Sequence, residues 1–273
     1  MTIFESIFLG IIQGLTEFLP VSSSGHLIIF PFLLRWEVPP SEAFIFDVLV
    51  QVATLIAVIA FFWEDLLAII LAFWRGLITK KPLHTPEARL GWYIIIATVP
   101  ASIIGLILKD PIESAFNNPL VTAFFLLGTS ALLVLAEKIG NRNQDLNNMD
   151  WIDAIWVGIS QILALFPGMS RSGATITGGM IRNLDRPSAA RFSFLMSIPV
   201  MLAAGLIASL DLIAIPDFAT LLPVYIPGFI AAAVTGYLSI RWLLRFLTHY
   251  PLYIFSLYCV FLALLTILVY FAR

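Results

Sequence analysis

The sequence predicts an all-α polytopic membrane protein, an inverted-topology repeat with six transmembrane helices plus two re-entrant helical hairpins. Three observations predict it. Sixty per cent of the 273 residues are hydrophobic and only 12% are charged, about half the charged share of an ordinary soluble domain, and the mean hydropathy is +0.98. Six apolar stretches reach the ~20 residues that a bilayer crossing needs. The chain also matches itself at an offset of 148 residues.

The first element is residues 2–34, apolar but broken at Pro20 and at Ser22-Ser23-Ser24-Gly25. Its two arms are too short to cross a bilayer comfortably, so they read as a re-entrant pair, whose broken backbone is tolerated where protein or a watery cavity covers it. Three crossings follow, at Ala43–Phe62, Leu90–Leu108 and Leu120–Ala136. Residues 151–181 are the second interrupted element, broken at Pro167-Gly168 and Ser170–Gly173. Three more crossings complete the chain, at Ala190–Leu210, Leu222–Leu244 and Leu252–Phe271. Each half thus holds one re-entrant pair and three spans. The whole is one membrane domain over residues 1–273, made of repeats at approximately 1–137 and 150–273.

The charges set the orientation. If the loop with Arg75, Lys80, Lys81 and Arg89 is cytoplasmic, then so are Lys138, Arg142, Arg182, Arg186, Arg191, Arg241 and Arg245, eleven of the fifteen basic residues. Arg35, Lys109 and Arg273 fall on the other side with Asp110, Glu113, Asp211 and Asp217. The positive-inside rule is then satisfied with both termini outside. The opening Met-Thr-Ile-Phe-Glu lacks the basic start of a cleavable signal peptide, so the first apolar stretch is expected to be retained. Cys259, the single cysteine, lies in an apolar run and reads as a small core residue.

The repeat is explicit. Gly10, Gln13 and Phe18 fall on Gly158, Gln161 and Phe166; without a gap, Ser22, Ser24 and Gly25 fall on Ser170, Ser172 and Gly173. Three crossings per half is odd, so the second half must be inverted. Such repeats place a binding site at their interface near the midplane, and the two polar hairpins are expected to meet.

Gln13 and Glu17 are four apart and share a helix face. An ionisable residue in a membrane segment marks a functional site by default. His26 follows three serines in a broken helix, whereas His84 and His249 sit in loops beside prolines and read as ordinary surface residues. Ser22, Ser23, Ser24 and Gly25 stand where one helical arm begins, and Ser170, Arg171, Ser172 and Gly173 where another does. Helix N-termini offer unpaired N–H groups and a positive dipole end, and serine is also a good N-cap. Arg171 adds a planar, always-charged fork suited to phosphate; an ion pair with Glu17 is the plainer alternative and can coexist with it. Thr175 and Thr177 add hydroxyls further along the arm. Gly10, Gly14, Gly178 and Gly179 read as points of close helix approach.

This inventory suits phosphoryl transfer. Arg171 and the backbone donors would hold charge developing on phosphate oxygens. Glu17, helped by Gln13, could hold a divalent cation. His26 could act as acid, base or nucleophile, and Ser23 is the other candidate nucleophile; spacing does not choose between them.

Residues Gln13-Gly14-Leu15-Thr16-Glu17-Phe18-Leu19-Pro20-Val21-Ser22-Ser23-Ser24-Gly25-His26 and Pro167-Gly168-Met169-Ser170-Arg171-Ser172-Gly173-Ala174-Thr175 resemble the two signature motifs of the undecaprenyl-diphosphatase, or bacitracin-resistance, family. The resemblance covers essentially the whole chain. It implies removal of the terminal phosphate of undecaprenyl diphosphate, which recycles the lipid carrier for cell-wall synthesis, and a requirement for Mg2+ or Ca2+. It implies a multi-pass protein of the bacterial inner membrane whose site opens to the periplasm or cell exterior. Carried over by position, Glu17 is the essential carboxylate, His26 closes the first motif, Arg171 binds phosphate and Ser23 matches the serine proposed as nucleophile. Gln13 stands where the family has either Glu or Gln, and Ser24 where many members have threonine. The phosphate-binding set is then Ser22, Ser24, Gly25, Ser170, Ser172, Gly173 and Thr175, and the metal set Gln13 and Glu17. Expected partners are a long-chain polyprenyl diphosphate and membrane lipid, with no nucleic acid and with room for a homodimer. The rival reading is a transporter or flippase of a phosphorylated lipid using the same midplane site.

Overall fold

The computed structural model describes the whole chain except residues 109–110, 113–114, 116–117 and 214–217. Among the described residues it is all-helical, with eleven α-helices and, in place of strands, one isolated bridge between Gln144 and Leu184. The first pair is α1 (Ile3–Phe18) and α2 (Ser23–Leu34); α3 (Pro40–Phe61), α4 (Trp63–Ile78), α5 (Pro86–Ile107) and α6 (Pro119–Ile139) follow. The second pair is α7 (Trp151–Ile162) and α8 (Arg171–Ile181), followed by α9 (Arg186–Ile213), α10 (Phe218–Leu247) and α11 (Tyr253–Ala272).

Six of these helices are long and apolar enough to cross a membrane, at Glu42–Phe61, Pro86–Ile107, Pro119–Ile139, Arg186–Leu206, Leu221–Leu247 and Tyr253–Ala272. They coincide with the six stretches expected from sequence. Their outward faces carry Leu106, Leu257, Leu268 and Phe271, each at least two-thirds exposed, as lipid-facing side chains should be. The chain is a multi-pass membrane protein.

One element departs from the expected count. The segment taken as a loop around Arg75 begins as a helix, α4, with Glu64 and Asp65 in its first turn and Arg75 in its last. At 16 residues it is too short to register as a span, and its three charges dilute its apolar run. It starts where α3 breaks at Phe62. Lys109, Asp110, Glu113 and Asp217, all assigned to the outer side by the charge pattern, lie outside the described residues, as does the side chain of Asp211.

Local sequence explains where the helices begin. Thr2 and Glu5 form a capping box at the head of α1, and Asp150 and Asp153 form one at the head of α7; each satisfies two orphan N–H groups reciprocally. The two boxes lie at the same 148-residue offset as the motifs. Proline at the first position starts α3, α5 and α6, where its missing N–H costs nothing.

Glycine decides how closely the arms pack. A Cβ at Gly10 would collide with the Gly228 carbonyl of α10, and one at Gly14 with Thr235 Oγ1. In the second pair, a Cβ at Gly158 would lie about 2.5 Å from the Ala97 carbonyl oxygen of α5, and one at Gly178 would meet Ser160 Oγ. Close approach is thus confirmed for Gly10, Gly14 and Gly178; at Gly179 an added Cβ would stand 3.1 Å from Ala189 Cβ.

The ends of the bundle are held by polar clusters. Glu137 accepts from Arg142 Nη1 at 3.0 Å, from both Arg186 Nε at 2.7 Å and Arg186 Nη2 at 2.5 Å, and from the Leu252 amide at 2.8 Å. Asp153 accepts from Arg182 Nε at 2.7 Å and Gln144 Nε2 at 3.0 Å. At the opposite end the terminal amine of Met1 binds Glu42 at 2.7 Å, and Arg273 donates to the Phe32 and Leu33 carbonyls. Both termini therefore sit at one end, away from the Arg142, Arg182 and Arg186 clusters.

Candidate active site

The tips of the two short pairs meet. A Cβ added to Gly25 would stand 3.1 Å from Gly168 Cα, and Ser172 Oγ donates to the Leu19 carbonyl at 2.9 Å. The tips also share their construction. Ser22 caps α2 by accepting from the Gly25 amide at 3.2 Å; Ser170 caps α8 by accepting from Gly173 at 3.0 Å. The same cap hydroxyls lie 3.4 Å from Ser24 Oγ and 3.1 Å from Ser172 Oγ respectively. The first amides of each arm have no intrahelical carbonyl to bond, so two helix N-termini are present at the contact.

Glu17 is the centre of the cluster. Its Oε1 accepts from Arg171 Nη2 at 2.8 Å, and its Oε2 accepts from Ser23 Oγ at 2.6 Å and Gln13 Nε2 at 2.9 Å. Glu17 is only 9% exposed and Gln13 3%. An unpaired charge at such a place would be expensive; the guanidinium offsets it. Two polar atoms of the cluster are buried without a partner among the described residues, Arg171 Nη1, a donor, and Gln13 Oε1, an acceptor. Burying such groups unmade costs about 1–3 kcal/mol each, and both are the kind of group a bound ligand would satisfy.

His26 stands apart from that cluster. It is fully buried; Nδ1 lies 2.7 Å from the Ser22 carbonyl and Nε2 2.7 Å from the Tyr258 hydroxyl of α11. A carbonyl only accepts, so Nδ1 carries a proton and, in the neutral ring, Nε2 accepts from the tyrosine. Ser22 itself has φ +71, a conformation that costs a non-glycine residue of order 1–3 kcal/mol.

Thr175, expected beside phosphate, has its hydroxyl on the Arg171 carbonyl at 2.8 Å and on Ser193 Oγ at 2.6 Å. It packs α8 on itself and on α9. Thr177 donates to the Leu132 carbonyl at 3.2 Å. Three further positioning residues went unnoticed in the sequence. Thr129 of α6 donates to the Gly168 carbonyl at 2.9 Å and accepts from the Ser170 amide at 2.8 Å, which fixes the second tip; Gly168 has φ +93 and its Cβ would strike the Thr122 carbonyl. Tyr258 holds His26, and Ser193 holds Thr175. Each comes from a spanning helix with no local pattern to mark it.

Fold and site together define a multi-pass membrane protein with a buried cluster of carboxylate, guanidinium and serine hydroxyl between two helix N-termini. The chain belongs to the family described as bacitracin resistance protein BacA, whose model matches residues 6–265. It is 41% identical over 281 aligned residues to a protein of Thermomicrobium roseum named undecaprenyl-diphosphatase, covering all of both chains. Proteins of the same name from Chlorobium phaeovibrioides and Methanosphaera stadtmanae are 42% and 40% identical, with at least 97% of each chain covered.

Proposed function

We propose that this protein hydrolyses undecaprenyl diphosphate to undecaprenyl phosphate and inorganic phosphate. The relatives' names support the reaction. The observation that carries the site is the placement of Ser23 Oγ and Arg171 on the two oxygens of one carboxylate, at 2.6 and 2.8 Å.

In this reading Ser23 Oγ attacks the terminal phosphorus while Glu17 takes its proton. The Oγ–P bond forms as the bridging P–O bond breaks, and undecaprenyl phosphate leaves, a stable anion that needs no protonation. Water then attacks the phosphoserine; Glu17 returns its proton to Ser23 Oγ as the Oγ–P bond breaks, and the protons of the water leave with inorganic phosphate. Arg171 Nη1, the buried donor without a partner, is directed to phosphate oxygens, where positioned charge lowers the barrier most. Ser24 and Ser172 stand at the two helix heads that form the anion cradle, while the amides of Gly25 and Gly173 hold the caps Ser22 and Ser170 in place.

The residues fit a divalent cation such as Mg2+ or Ca2+. Gln13 Oε1 is a buried oxygen with no donor, beside the Glu17 carboxylate, and no group of three His, Cys, Asp or Glu side chains is available among the described residues to build a full cage. That matches ions held by one or two protein oxygens plus substrate phosphates and water. A bound cation would neutralise charge on the diphosphate oxygens.

The topology is part of the proposal. The shared offset of the capping boxes, the tip serines and the paired glycines supports an inverted repeat. The basic clusters at one end support a cytoplasmic placement there, in a bacterial plasma membrane, with the site open to the outer side. The relatives' names give the carrier reading no support. The test is phosphate release from undecaprenyl diphosphate by detergent-purified protein: equally slow release by wild type and Arg171→Ala would end the enzyme reading.

A further inference from the structure

We infer that Tyr258 is a positioning residue of the reaction, acting through His26 on the strained turn that presents Ser23. The inference rests on the Ser23 reading above.

The geometry runs as one chain. Tyr258 OH lies 2.7 Å from His26 Nε2, and the two ring planes are nearly parallel, at 10°. His26 Nδ1 lies 2.7 Å from the Ser22 carbonyl, and the His26 amide donates to the same oxygen at 3.2 Å. Ser22 has φ +71, so its peptide plane is not one that a serine adopts on its own. That carbonyl belongs to the peptide linking Ser22 to Ser23, and the next side chain is the hydroxyl 2.6 Å from Glu17. Two donors from one histidine thus fix the plane from which the attacking oxygen departs.

The tyrosine decides which proton His26 carries. Only the tautomer with hydrogen on Nδ1 can hold the Ser22 carbonyl, and a hydroxyl donated to Nε2 selects that tautomer. His26 and Tyr258 are 232 residues apart. The ring is fully buried and makes no hydrogen bond to Glu17, Ser23 or Arg171 among the described residues. In the motif read as a catalytic histidine, the chemistry that the contacts support is therefore orientation, and the proton acceptor for Ser23 is Glu17.

Two measurements test this. The first needs no turnover: in folded protein labelled with 15N-histidine, His26 should show a protonated Nδ1 and an unprotonated Nε2, and Tyr258→Phe should shift the signal. An Nε2–H tautomer or an imidazolium in wild type overturns the inference while leaving the hydrolase reading intact. The second is a double-mutant cycle on phosphate release. Asparagine can replace the Nδ1 donor but cannot shuttle a proton. His26→Asn should keep at least a tenth of kcat with the wild-type pH profile, whereas His26→Leu should lose about a hundredfold. Tyr258→Phe should lower kcat about tenfold with KM within twofold, and should cost nothing further in the His26→Asn background. Equal losses in His26→Asn and His26→Leu, or an additive effect of Tyr258→Phe, refute it. Failure of wild type to release phosphate from any prenyl diphosphate counts against the hydrolase reading instead.

Discussion

Arg171 Nη2 and Glu17 Oε1 meet at 2.8 Å across 154 residues of chain, and neither side chain is more than 17% exposed. The pair joins the two short helical hairpins and leaves the second guanidinium nitrogen, Nη1, buried with no partner among the described residues. An ion pair that existed only for structure would be expected to use the whole fork. Arg171→Ala should therefore lower kcat/KM for phosphate release by 10²–10³, the usual loss on removing one transition-state donor. Arg171→Lys, which keeps the charge but not the planar fork, should fall between; a lysine variant as active as wild type would contradict the assigned geometry.

Ser23→Ala should abolish any acid-stable phosphoenzyme trapped with labelled diphosphate and should reduce kcat by about 10³ or more. Ser24, whose hydroxyl lies 3.4 Å from the Ser22 cap, should tolerate alanine with a loss of about tenfold or less. Label recovered on any residue other than Ser23 would move the nucleophile.

Gln13→Glu should change the metal requirement. It replaces an amide that donates to Glu17 at 2.9 Å with a second carboxylate, and two such anions need a cation between them. The half-saturating Mg2+ concentration should drop roughly tenfold, because a site gains affinity with ligand charge, and chelator treatment should hurt the variant more than wild type. An unchanged magnesium titration argues against metal at this position.

Gly10→Ala should destabilise the fold by about 1–3 kcal/mol, as overpacking does, because the new methyl meets the Gly228 backbone rather than a movable side chain. Thermal unfolding in detergent should show the loss. Gly105→Ala, where the nearest atom is Leu165 Cδ2 at 3.5 Å, should be close to neutral.

The ion pairs at the basic end are not equivalent. Glu137 has a side chain only 2% exposed and is bonded by two arginines, so Glu137→Ala should cost about 3–5 kcal/mol by leaving buried charge uncompensated. Asp65 and Arg191 are 36% and 46% exposed at 2.7 Å, and Asp65→Ala should cost less than about 1 kcal/mol. Similar melting shifts for the two variants would show that burial is not what separates them.

Much of this protein is determined by its sequence alone, because lipid imposes a length and a composition that can be read along the chain. The six membrane-length helices, the two broken pairs and the serine caps at Ser22 and Ser170 are all local consequences of apolar runs, prolines and N-cap chemistry. The pairing of Gln13 with Glu17 is local too, being one helical turn. Even α4 is local; its three charges and 16 residues hid it below the length of a span. What the tertiary structure decided is everything that depends on which atoms face each other across the bundle. Only packing could put Arg171 and Ser23 on the two oxygens of Glu17, set the Thr175 hydroxyl against Ser193, and bring Tyr258 and Thr129 to the tips. Ser23 and Glu17 are six apart but on either side of a break between two helices. The other contacts join residues 18 to 232 positions apart, where a hydroxyl has no periodicity to announce it and finds its partner only when the helices are assembled.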